Sequence, residues 1–123
     1  MSINKIQYKG YEIIVTDYSD CRNKEEMIET LLRSVKYIRS TPKMDLLHLT
    51  DMRGAHGSIE FMNEVKRWNK DLFTKKLAKS AIIGIDGLKS ILLRAYNTVP
   101  SVTIPTVPFN SKEEALEYLS QKS

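Results

Sequence analysis

Leu46-Leu47-His48-Leu49-Thr50-Asp51-Met52-Arg53-Gly54-Ala55-His56-Gly57-Ser58 is the stretch whose reading decides the fold. Its first six residues are a short, mostly apolar run, the pattern of a buried strand. Met52 to Gly57 reads as a loop with two glycines, and Ser58 opens a helix running to about Lys76. The inward stripe of that helix is Phe61, Met62, Val65, Trp68, Leu72 and Phe73. Working toward the N-terminus, Thr41-Pro42 stops an earlier helix, because the residue before proline is pushed out of helical geometry. That helix carries Met27, Ile28, Leu31, Leu32, Val35 and Ile38 at helical spacing, and Asn23 with Glu26 forms a capping box at its start. Before it, Lys5 to Tyr8 and Tyr11 to Asp17 are strands joined as a hairpin by Lys9-Gly10.

Toward the C-terminus, Ala81-Ile82-Ile83-Gly84-Ile85 is a fourth, continuously apolar strand. Leu88, Ile91, Leu92, Ala95, Tyr96 and Val99 make another helical stripe. Val102 to Phe109 is an extended segment that Pro105 and Pro108 confine to a sheet edge. Ser111 to Glu114 is a second capping box, opening a short helix anchored by Ala115, Leu116 and Leu119. Strands alternating with helices in this order predict an α/β domain. Its sheet is mostly parallel, with about five strands, an N-terminal hairpin, right-handed crossovers and about four helices. At 123 residues, with no linker long enough to divide it, the chain reads as one domain over residues 1–123.

Hydrophobic residues make up 41% and charged residues 28%, a globular balance that excludes collagen-like, disordered and disulfide-scaffold classes. Cys21 is the only cysteine, so no internal disulfide can form and a reducing, cytoplasmic compartment is expected. Met1 to Tyr18 has no apolar signal-peptide core, and no apolar run approaches the ~20 residues of a membrane helix. The charge of +4 is concentrated between Met62 and Arg94, where eight basic residues face Glu64, Asp71 and Asp86. A solvated helix face accounts for these cations; an anionic-lipid surface or an acidic partner would also suit them. Exposed aromatics interleaved with base-reading arginines are not evident, so nucleic acid is not an expected partner.

If successive strands are parallel, Asp17, Asp51 and Asp86 fall along one rim where strands end and helices begin. Aspartates there serve as caps; clustered, they would raise one another's pKa or invite a cation such as magnesium. No His/Cys spacing suggests a metal site, and neither a dinucleotide nor a phosphate-loop fingerprint occurs; Gly87 after Asp86 is too little. No cofactor is expected. In the central loop Gly54 and Gly57 free the backbone, Arg53 and His56 offer contacts, and Ser58 stands at a helix start. Ser58 either caps that helix or, phosphorylated, would be stabilised by the helix N-terminus. No ordering acid accompanies Ser58 and His56 in sequence, which argues against a hydrolase triad. His48, inside an apolar strand, reads as a satisfied core histidine.

The runs Leu46 to Gly54, Lys79 to Leu88 and Glu113 to Leu119 resemble the STAS-like family related to bacterial anti-sigma factor antagonists. The resemblance implies a right-handed β-α superhelix, shared with CRAL-TRIO lipid-transfer domains, in small bacterial cytoplasmic proteins. In the antagonists a serine at the start of the helix after a central strand is phosphorylated to switch partner binding. Here the matching turn runs from Asp51 to Ser58, but a glycine loop replaces the compact Asp-Ser-Ser-Gly type of motif. The expectation is a non-enzymatic module that binds a protein partner or small ligand at the rim of Asp17, Asp51, Arg53, Gly54, His56, Gly57, Ser58, Asp86 and Gly87. Ser58 is its candidate phosphosite. The alternative is carriage of an apolar ligand or lipid. A homodimer through the N-terminal hairpin or the Val102 to Phe109 edge is a further expectation.

Overall fold

A computed structural model of the chain describes residues 3–100 and 102–121. Five strands, β1 Ile3–Tyr8, β2 Tyr11–Asp17, β3 Leu46–Asp51, β4 Leu77–Ile83 and β5 Thr106–Phe109, form one sheet in the order β1-β2-β3-β4-β5. β1 and β2 are antiparallel, and every other neighbouring pair is parallel. The hairpin turns on Lys9 (φ 50°) and Gly10 (φ 84°), the two positive-φ positions a tight hairpin needs. The α/β class, the hairpin and the mostly parallel sheet are as the sequence predicts.

Four helices connect or cover the strands. α1 is Lys24–Ser40, and α2 is Ile59–Trp68, prolonged by a π turn at Asn69–Phe73 and a last turn at Thr74–Lys76. α3 is Gly87–Asn97 and α4 is Lys112–Leu119. Asn23 Oδ1 accepts the Glu26 N–H at 2.9 Å, starting α1. The returning bond of the expected capping box goes one residue further back: Glu26 Oε1 accepts from the Arg22 N–H at 2.7 Å. Thr41 (φ −77°, ψ 136°) ends α1 ahead of Pro42.

Side chains of the inner strands alternate between two cores. Ile14 and Ile82 join Met27, Leu31, Val35 and Ile38 of α1, Phe61 of α2 and Leu93 and Tyr96 of α3 on one face. Ile13, Val15, Leu49, Ala81 and Ile83 meet Ala115, Leu116 and Leu119 of α4 on the other. The sheet is thus covered on both sides, which explains why its central strands read as continuous apolar runs.

β1 starts two residues earlier than the sequence reading, at Ile3, and three other boundaries differ more. β4 begins earlier and stops at Ile83, because Gly84 takes φ +83° and lies against the backbone of Arg53. β5 occupies only Thr106–Phe109; Asn97 clasps it, donating to the Thr106 carbonyl and accepting its N–H, both at 3.0 Å. The helix after Ser58 does not run evenly to Lys76, since the π turn rotates its last part and buries Asn69. The inward face of α3 is also turned from the expected stripe. Leu93 and Tyr96 are buried while Ile91 is 62% exposed, and the side chain of Leu88 lies outside the described residues.

Candidate functional site

Parallel strands place the C-terminal ends of β2 and β3 side by side, with Asp17 and Asp51 in register. Each carboxylate is committed locally. Asp17 Oδ1 accepts from the Ser19 N–H at 2.8 Å. Asp51 is buried and receives the Arg53 backbone N–H at 3.0 Å, with the guanidinium donating to both oxygens at 2.8–3.3 Å. Burial alone would raise the Asp51 pKa, but the hydrogen bonds and charge of Arg53 hold it below the usual carboxylate value. Asp86 stands at the N-terminus of α3 with its side chain 88% exposed and 3.6 Å from Lys89 Nζ. Among the described residues no group of three or more His, Cys, Asp or Glu could hold a metal ion.

Ser58 Oγ accepts from the Phe61 N–H at 3.1 Å, so the hydroxyl caps α2. Arg53, Gly54 and His56 are exposed on the loop, and Gly87 is exposed at the start of α3. Gly57 faces inward: a Cβ there would stand 2.9 Å from Leu92 Cδ1 and 3.2 Å from Lys89 Cγ. The rim is therefore a braced border in which the β3–α2 loop leans on α3.

Beneath that loop lies a cavity of ≈ 80 Å³ between the sheet and helices α2 and α3. Its walls include Phe61, Met62, Val65, Phe73, Ile82 and Leu92, and Gly57 and Lys89 line it where the β3–α2 loop meets the first turn of α3. Its floor is polar. On the helix-facing side of the sheet, His48, Ser80 and Thr106 stand in register on β3, β4 and β5. His48 Nε2 and Thr16 Oγ1 are 2.8 Å apart, and Thr16 Oγ1 is 2.8 Å from Ser34 Oγ. Ser80 Oγ and Thr106 Oγ1 are 3.2 Å apart. From the opposite wall Asn69, placed by the π turn, donates to the Tyr96 hydroxyl at 2.7 Å, and Thr74 donates to Asn69 Oδ1 at 3.2 Å. Burial lowers the His48 pKa to about 4 and pushes that of Tyr96 up to about 12, so both are neutral near pH 7.

Of the nine rim residues picked out by the sequence, only Gly57 lines this cavity. Sequence reasoning passed over Ser80, Thr106, Asn69, Tyr96 and Lys89, and treated His48 as core only. One signal was present: polar residues at alternate positions (His48, Thr50; Ser80) inside strands otherwise apolar on both faces. Of the eight central cations, Arg67, Lys70, Lys75 and Arg94 are exposed, as a solvated face implies, while Lys66, Lys76, Lys79 and Lys89 are only partly so. Lys76 Nζ donates to the Thr41 carbonyl at 2.7 Å, Lys79 Nζ to those of Tyr118 (3.3 Å) and Gln121 (2.6 Å), and Arg67 stacks on Trp68. No helix among the described residues is long and apolar enough to cross a membrane.

No family model matches the chain, and no curated protein matches it. Among solved structures, the chain is similar to an uncharacterized protein of the DUF3478 family with a SpoIIAA-like fold from Shewanella loihica PV-4. The two align with a TM-score of 0.62 at 17% identity, over 95% of this chain and 91% of that one. The fold is thus SpoIIAA-like, the STAS-like architecture indicated by the sequence resemblance.

Proposed function

We propose that this protein is a non-enzymatic, STAS-like ligand-binding module that takes a small, mainly apolar molecule into the cavity beneath the β3–α2 loop. The observation that carries this reading is the cavity's polar floor. The helix-facing side of a parallel sheet is normally filled by Val, Ile and Leu, yet here His48, Ser80 and Thr106 stand beside Ile14 and Ile82 on it and line the cavity. Such residues forgo apolar burial and are sensible where a bound group needs hydrogen-bond partners in an otherwise apolar site. Helix α2 breaks its own regular hydrogen bonding at the π turn to bring Asn69 to the same space, a device often found at functional sites. The volume suits roughly two or three waters or a short carbon chain. The inner end of a ligand therefore fits inside, and its remainder lies where the β3–α2 loop meets α3.

Chemical-shift titration with a panel of small alcohols and acids tests this. Resonances of Ser80, Thr106 and Asn69 are expected to move in the wild type, and a Ser80→Leu variant that fills the floor is expected to stay unresponsive while remaining folded. A wild type whose cavity resonances ignore every compound, or a Ser80→Leu variant that responds equally, would overturn the proposal.

A further inference from the structure

Resting on that ligand-binding reading, we infer that the cavity selects an anionic ligand, a short apolar carboxylate whose head group is held by Lys89 Nζ where the β3–α2 loop meets α3. Among the described residues Lys89 is the one lysine or arginine lining the cavity, and no aspartate or glutamate lines it. The remaining polar walls are hydroxyls, an amide and a neutral imidazole. The space therefore carries a single charge, and that charge is positive.

Lys89 is unusually placed for a lysine. Its side chain is only 13% exposed, with its stem packed against Gly57. It sits in the first turn of α3, the helix end where a cation is disfavoured and an anion is favoured. Its ammonium donates to the Met52 carbonyl at 3.2 Å. Its charged neighbour, Asp86, is 3.6 Å away on a carboxylate that is 88% exposed, a screened and weak pairing. An ammonium has three donors, and a ligand carboxylate beside it would form a charge-assisted hydrogen bond in a partly desolvated place. The apolar body would extend inward past Leu92 and Phe61 toward Ser80 and Thr106. Phosphate alone lacks that body, and an amine would face the ammonium.

The test titrates the protein with hexanoate, hexan-1-ol and hexylamine, which share one chain and differ in head group. Hexanoate is expected to bind about 10- to 100-fold more tightly than hexanol, the range of one charge-assisted hydrogen bond, and hexylamine more weakly than either. Lys89→Met and Lys89→Gln should each bring hexanoate down to the affinity that hexanol has for the same variant. Equal affinity of the wild type for hexanoate and hexanol, or a hexanoate advantage surviving both variants, overturns the anion assignment and leaves the cavity reading standing. If no compound binds the wild type, the cavity reading itself fails, and this inference with it.

Discussion

Replacing Gly84 by alanine isolates the contact that fixes the rim. Gly84 has φ +83°, and a Cβ there would come within 2.4 Å of the Arg53 nitrogen and 2.7 Å of Arg53 Cα and the Met52 carbonyl carbon. All three atoms are backbone, so no rotamer change can relieve the overlap. The left-handed conformation costs an L-residue about 1–2 kcal/mol, and forcing apart packed backbone adds about 1–3 kcal/mol, as for overpacked cores. Gly84→Ala should therefore destabilise the fold by about 2–5 kcal/mol. Gly10→Ala is the control, since Gly10 has a nearly identical φ of +84° with nothing within 4 Å of its would-be Cβ. It keeps the conformational cost, partly offset by a less flexible unfolded chain, for a net of about 1 kcal/mol. With a urea dependence of about 1–3 kcal/mol per molar for a domain of this size, the two midpoints should separate clearly in parallel urea unfolding followed by circular dichroism. If both variants shift the midpoint equally, the close approach of Gly84 to Arg53 does not determine the rim.

Two other perturbations have defined outcomes. Burial favours the neutral His48 imidazole, so the unfolded chain takes up a proton first as pH falls below 6.5. The folded state should lose roughly 3 kcal/mol of stability between pH 6.5 and about pH 4, where the loss levels off. Urea midpoints across that range should show the slope in the wild type and lose most of it in His48→Gln; equal slopes would reject the assignment. Ser58→Ala should cost about 1 kcal/mol by removing the α2 cap, and Ser58→Asp should restore it. If Ser58 is also a phosphorylation switch, the Asp variant must bind a partner differently from the wild type in a pull-down, and unchanged binding to every identified partner would dismiss the switch.

The architecture was legible because its signals are local and strong: period-three-and-four stripes, the Lys9-Gly10 turn, proline stops and serine caps. The rim could likewise be located, since parallel strands bring Asp17 and Asp51 into register whatever their side chains do. What those side chains do could not be read. Nothing in the sequence says that Asp51 is tied to Arg53 two residues on, or that Ser58 spends its oxygen on Phe61. The cavity was missed for a different reason. Asn69 reaches it only because α2 widens into a π turn, and Lys89 lies on its wall only because α3 is rotated so that Leu93, not Ile91, faces the core. A shift of one residue in helical phase is small beside the scatter of a hydrophobic pattern, yet it exchanges a solvent-facing lysine for a site residue.

The strand order has a consequence for how the molecule comes into being. Each strand lies next to the one synthesised before it, from β1 at one border to β5 at the other. A nascent chain leaving the ribosome can thus add strands one at a time to a growing edge, never having to thread a late strand between two earlier ones. Only α4 must travel back across finished work, to β3 and β4. Until it docks, the apolar side formed by Ile13, Val15, Leu49, Ala81 and Ile83 stays open to water. Premature termination before Lys112 should therefore yield a nearly complete but adhesive intermediate, the species most in need of a chaperone.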